Sequence, residues 1–195
     1  MISASLRIPA FFLLSMLACE KEDSSTGPLP IDQSTTIFPL TVGNTWVVDI
    51  TNYDSTGAVL YTNRTSIQIL RDTTIESELW YIGYGILTNR TDGLYDYQAG
   101  ATSPVSLRYR YPAASGSIYP YRGVTVKLLS IDDTVTVRAG TYVCYRYRTG
   151  IDSVTYTDEY FARGVGLIKS ESFNPYSSGG VYEYLNYELV SVTLH

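Results

Sequence analysis

Histidine is nearly missing from this sequence: one stands among 195 residues, His195 at the last position, and cysteine occurs only at Cys19 and Cys144. A zinc site takes three or four ligands, and a Ser-His-Asp or Cys-His arrangement needs an imidazole held in place. Neither is expected from a single terminal histidine and two separated cysteines, and two cysteines build no disulfide framework. No P-loop and no GxGxxG occurs, so no cofactor is expected. Two acidic pairs remain, Asp132 with Asp133 and Asp158 with Glu159. Neighbours on a strand face opposite ways, and Asp132 with Asp133 reads as a turn, so the chain is read as a non-enzyme. Positive charge is short too: 14 Lys and Arg stand against 19 Asp and Glu, a formal net charge of −5. That argues against nucleic acid or anionic lipid surfaces as partners through general electrostatics.

Long apolar runs are also lacking. The longest, Ile8 to Leu17, is broken only by Pro9 and Ser15, and a membrane-spanning helix needs about 20 apolar residues. The run reads as the apolar core of a signal peptide over residues 1–18. Met16, Leu17 and Ala18 before Cys19 resemble a lipobox, the signal by which bacterial lipoproteins have a cysteine lipidated as the new N-terminus. Cleavage by the ordinary signal peptidase beside Cys19 stays open, because Met16 and Leu17 depart from the usual pattern. Lys21, Glu22 and Asp23 resemble the surface-export signal of some Gram-negative lipoproteins, against the plainer reading of a solvated charged tether. Residues 19–36 are acidic and rich in Ser, Thr, Pro and Gly, a flexible tether whose stretch after the cysteine reaches at most about 55–60 Å. The expected location is the outer membrane, exposed at the cell surface, with the lipid bilayer as partner through the acyl anchor. A lipidated Cys19 leaves Cys144, in T-Y-V-C-Y-R-Y-R, as an unpaired and buried small hydrophobe.

Helical periodicity is absent beyond two turns. Residues 37–195 read as strands almost throughout, over 45–53, 58–70, 79–84, 86–89, 94–98, 105–111, 124–131, 134–138, 141–149, 154–162, 167–172 and 181–194, separated by turn chemistry such as Asp54 to Gly57, Asp92 with Gly93, and Asp132 with Asp133. Connections this short force antiparallel neighbours. The expected fold is all-β: a single large curved antiparallel meander, half-barrel or barrel-like, of about 10 to 12 strands.

Tyrosine is in excess, with 19 residues. Pairs two apart, such as Tyr95 and Tyr97 or Tyr145 and Tyr147, share a strand face. They read first as cover for a half-exposed sheet face, and second as a surface for stacking on sugars. Asp-Ser/Thr occurs at Asp54-Ser55-Thr56, Asp72-Thr73-Thr74, Asp133-Thr134-Val135 and Asp152-Ser153-Val154, which resembles the O-glycosylation acceptor of some exported bacterial proteins and equally reads as turn chemistry.

Three stretches carry a family resemblance. I-F-P-L-T-V-G-N-T-W (37–46), R-A-G-T-Y-V-C-Y-R (138–146) and E-Y-F-A-R-G-V-G-L-I-K (159–169) resemble, in order, the opening, a middle strand and a late hairpin of a widespread group of uncharacterised bacterial lipoprotein domains. Arg138 departs from the proline common there. The resemblance implies many antiparallel strands, similar to the half-barrels of periplasmic lipoprotein carriers, which hold an acyl chain on the concave side. Two functions are therefore expected from different classes: a binding module for a lipid-like or glycan ligand, or a structural or protein-interaction component of the cell envelope.

Overall fold

The computed structural model describes residues 35–150, 155–175 and 181–195. Every regular element among them is a strand: β1 (Thr45–Tyr53), β2 (Val59–Gln68), β3 (Arg71–Ile75), β4 (Glu78–Ile82), β5 (Ile86–Arg90), β6 (Gly93–Tyr97), β7 (Val105–Arg110), β8 (Ile118–Tyr121), β9 (Val124–Val137), β10 (Gly140–Gly150), β11 (Tyr156–Ala162), β12 (Gly166–Pro175) and β13 (Val181–Thr193). All pairings are antiparallel. They form an eight-stranded sheet in the order β2-β1-β13-β12-β11-β10-β9-β8 and a five-stranded sheet in the order β3-β4-β5-β6-β7. Both sheets are meanders, with β13 returning to lie beside β1, and neither closes into a barrel.

The passage from one sheet to the other lies at Ile69 and Leu70. Ile69 N–H bonds to the Asn44 carbonyl, and Leu70 N–H to the Ile82 carbonyl in the second sheet, so one extended segment changes partners without turning. Ile69 is fully buried at this point. Further along, the edge of β7 meets the larger sheet through side chains: the Tyr119 hydroxyl accepts from Arg110 N–H at 2.9 Å and donates to the Arg108 carbonyl at 3.1 Å, and the Tyr147 hydroxyl donates to the Arg110 carbonyl at 2.7 Å. Phenols here satisfy backbone groups that another strand would otherwise pair, as buried polar backbone requires.

Between the sheets the core is aromatic. Tyr109 lies 4.7 Å from Phe161 and 5.0 Å from Tyr147 between ring centroids, and Phe38 stacks on Trp46 at 4.6 Å. Leu87, Leu94, Val126, Leu128 and Leu189 fill the space around them. The five-stranded sheet also covers its outer face: Trp80, 1% exposed, packs edge-on to Tyr97 beneath the Arg90 guanidinium.

The all-β antiparallel expectation holds, and the strands divide into two sheets. Three local readings are corrected. Asp132 with Asp133 forms no reversal, because β9 runs through as one strand; the extra residues are absorbed in a bulge opposite Cys144 to Arg146, with Asp132 bonded to the Ser130 hydroxyl. Asp72-Thr73-Thr74 lies within β3 rather than in a turn. Residues 118–121, outside the strand ranges read from the sequence, form β8, held by its register with β9 and by the hydroxyl of Tyr119.

Candidate functional site

The eight-stranded sheet turns one stretch of its inner face polar. Strand registers set Tyr147, Glu159, Ser170 and Tyr187 in one cross-strand row, and Thr149, Thr157, Ser172 and Leu185 in the next. Alternation explains the placement: Phe161 enters the core from β11, so Glu159 and Thr157, two and four residues earlier, share its face. Tyr84 from the β4–β5 connection, Arg108 and Tyr109 from β7, and Tyr121 from β8 stand over this floor, and together they line a pocket of about 260 Å³.

Two charged groups face it. Glu159 is 8% exposed, and its carboxylate accepts a short hydrogen bond from the Tyr109 hydroxyl. Burial raises the Glu159 carboxyl above its ordinary value, opposed by the Arg108 charge and the Tyr109 hydroxyl. Burial likewise pushes the Tyr109 phenol well up, reinforced by the Glu159 charge, so Tyr109 stays a donor. Arg108 lies over the rings of Tyr84 and Tyr109, 5.2 and 5.4 Å from their centroids. Although burial works against its charge, Glu159 and the two phenols hold its pKa well above normal.

Several hydroxyls in the lining are already engaged. Tyr121 donates to Asp96, and Thr157 and Ser172 bond to each other at 3.0 Å. Those of Tyr84, Thr149, Ser170 and Tyr187 make no hydrogen bond to another described residue. Free hydroxyls, one guanidinium and one carboxylate in a small concave site are groups that orient a polar ligand.

Beneath this pocket the apolar space is slight. The cavity bounded by Phe38, Ile67, Leu87, Leu94 and Phe161 measures about 10 Å³, room for at most about one water. Phe38 and Phe161 stand among the side chains that fill this space.

The other residues singled out in the sequence are distributed as follows. Cys19, Lys21, Glu22 and Asp23, the signal peptide, most of the tether and Asp152-Ser153-Val154 lie outside the described residues. Cys144 is fully buried, and burial with the nearby Asp133 charge pushes its thiol up to about 12. Asp158 and Glu159 part to opposite faces: Asp158 takes Arg148 at 2.7 and 2.8 Å and Arg146 at 2.7 Å on the outer face. Asp54 closes the first hairpin by accepting from Thr56 and Ala58.

The first and third resemblance motifs meet in space. Trp46 Nε1 donates to the Val165 carbonyl at 2.6 Å, Gly164 N–H bonds to the Thr36 carbonyl, and a Cβ on Gly166 would stand 2.8 Å from Trp46 Nε1 at a backbone φ of +106°. Arg108 carried no signal in the sequence, and Tyr109 only that of a tyrosine pair with Tyr111 on one strand face. Glu159 did carry one, since its phase with Phe161 marks it as an inward carboxylate.

The chain matches no protein-family model and no curated protein. Among solved structures it resembles a candidate exported protein with a YmcC-like fold from Bacteroides fragilis, at 12% identity and a TM-score of 0.44 over 82% of this chain and 100% of that one. It also resembles a candidate lipoprotein from Parabacteroides distasonis, at 15% identity and a TM-score of 0.43 over 82% of this chain and 99% of the other.

Proposed function

We propose that this chain is an exported, lipid-anchored protein of the bacterial cell envelope whose β domain binds a small hydroxylated ligand, a saccharide unit, in the pocket between its sheets. The observation that carries the binding half is the polar floor. A sheet face that packs against another sheet is normally apolar, yet here Glu159, Ser170, Ser172 and Thr157 turn inward beside phenols with unengaged hydroxyls. A sugar ring offers many hydroxyls in a small volume, and aromatic rings supply the flat surface it stacks on. Of the two ligand classes expected from the sequence, the glycan fits this lining and the lipid tail does not.

The anchoring half rests on Met16-Leu17-Ala18-Cys19 and on Lys21, Glu22 and Asp23. A metabolic fatty-acid probe is expected to label the wild type and not Cys19→Ala. Replacing Lys21, Glu22 and Asp23 by alanine is expected to remove protease accessibility on intact cells. A glycan array probed with the purified protein tests binding: signals weakened by Tyr187→Ala support the pocket, and an array blank for the wild type overturns it.

A second reading, docking of an extended segment of another envelope protein, is favoured by β2. That strand is a sheet edge of 10 residues without proline or lysine, exposing Val59, Leu60 and Tyr61, and proteins ordinarily guard such edges. It requires that Tyr61→Lys lose partner cross-linking in cells while Tyr187→Ala keeps it; the reverse pattern returns the function to the pocket.

A further inference from the structure

Among the described residues, Arg108 is the one cation lining the pocket. Of the other arginines, Arg146 and Arg148 pair with Asp158, Arg90 with Glu78 and Arg122 with Asp96, whereas Arg110, on the same strand, lies over the Tyr119 ring outside the pocket lining. Arg108 has no carboxylate within 4 Å among the described residues; it lies over the rings of Tyr84 and Tyr109, hydrogen-bonds the Tyr109 side chain and feels the Glu159 charge. A guanidinium carries five N–H donors, so its hydrogen bond to Tyr109 leaves others to recognise a planar anion. Glu159 does not consume that capacity. Its carboxylate is occupied by Tyr109 on the floor of the same pocket, where it accepts hydrogen bonds and disfavours a second anion close to itself.

The two charges meet at Tyr109 and offer a ligand opposite chemistry side by side. Arg108 suits a carboxylate and Glu159 a donor hydroxyl, and the unengaged hydroxyls of Tyr84, Thr149, Ser170 and Tyr187 lie within the same lining. A volume of about 260 Å³ limits the occupant to one ring at a time. Resting on the saccharide reading above, we infer that the pocket selects an acidic monosaccharide, its carboxylate on Arg108 and a ring hydroxyl on Glu159.

Isothermal titration of the purified full-length protein in a sugar-free detergent, with D-glucuronate and D-galacturonate against D-glucose and D-galactose, tests this. A charged hydrogen bond contributes about 1.5–3 kcal/mol, so the acids are expected to bind about tenfold or more tightly than their neutral counterparts. Arg108→Gln is expected to erase that preference and leave the neutral sugars unchanged. Arg108→Lys keeps the charge without the planar fork, and is expected to retain only part of the preference. The wild-type preference itself, which does not depend on any variant folding, should shrink as salt rises. Neutral sugars binding as well as the acids overturn the acidic selection and leave the saccharide reading standing. No binding of any of the four, together with a blank glycan array, overturns both.

Discussion

Asn44 illustrates how much one side chain holds in this fold. It is 1% exposed; its Nδ2 donates to the Pro39 carbonyl at 3.0 Å, its Oδ1 accepts from His195 N–H at 2.8 Å, and its backbone bonds Thr41 and Ile69. The F-P-L turn, the end of β13 and the sheet-switching residue thus converge on it. Asn44→Ala leaves the buried Pro39 carbonyl without its partner and releases the His195 N–H, and is expected to cost about 1–3 kcal/mol, read as a lower urea midpoint at unchanged slope. Glu159 gives a pH signature. Its folded pKa is raised above the ordinary 4.5, so its contribution to stability is complete below that value and is lost as pH rises through the folded pKa. Glu159→Gln does not titrate, so the melting temperature of the variant minus that of the wild type should climb as pH rises above the ordinary carboxyl value; a flat difference would refute the burial argument. Both residues were visible in the sequence, Asn44 inside a quoted motif and Glu159 in an acidic pair. Their partners were not, because His195 and Tyr109 come from elements 151 and 50 residues away.

At the scale of elements, alternation and turn residues located most strands within two residues, and failed where the same residues serve a different end. Aspartates that signal turns sit in β3 and in the bulge of β9, where a local side-chain bond does for a strand what it does elsewhere for a reversal. The β3–β4 hairpin shows the converse. Its two central residues, Glu76 and Ser77, both have positive φ, 51° and 67°, the geometry of a type I′ turn without the Asn-Gly that favours it. Nothing in the letters E-S announces a hairpin, so the strand reading ends at residue 70 and resumes at 79, without β3. Replacing Glu76-Ser77 by Asn-Gly relieves the left-handed cost at both positions and is expected to stabilise by about 0.5–1 kcal/mol, seen as a raised thermal midpoint with the pocket unaffected. A loss of stability would mean that Glu76 or Ser77 contributes contacts that outweigh the backbone term.

The whole molecule couples its two sheets twice over, through a shared aromatic core and through the phenols that take the place of a strand along β7. No sequence pattern reveals this, since periodicity reports which face of a strand is apolar and not which sheet it will meet. The two tryptophans offer a direct measure of that coupling. Trp46 lies in β1, inside the core between the sheets, and Trp80 lies in β4, on the outer face of the five-stranded sheet. If that sheet were an independent unit, Trp80 would report its own transition. Yet its inner face contributes Leu87, Leu94 and Tyr109 to the common core, and its β7 edge depends on Tyr119 and Tyr147, so it has no unpaired state that keeps these groups satisfied. Unfolding should be one cooperative event, as is usual for single domains of this size. Fluorescence of Trp46→Phe and of Trp80→Phe in urea, each leaving one reporter, is expected to give one transition apiece. When each midpoint is corrected by that variant's own stability from far-ultraviolet circular dichroism, the two should coincide. A Trp80 signal that moves before the dichroism of the same variant would show that the smaller sheet opens alone, and that the pocket it roofs is a gated site rather than a fixed one.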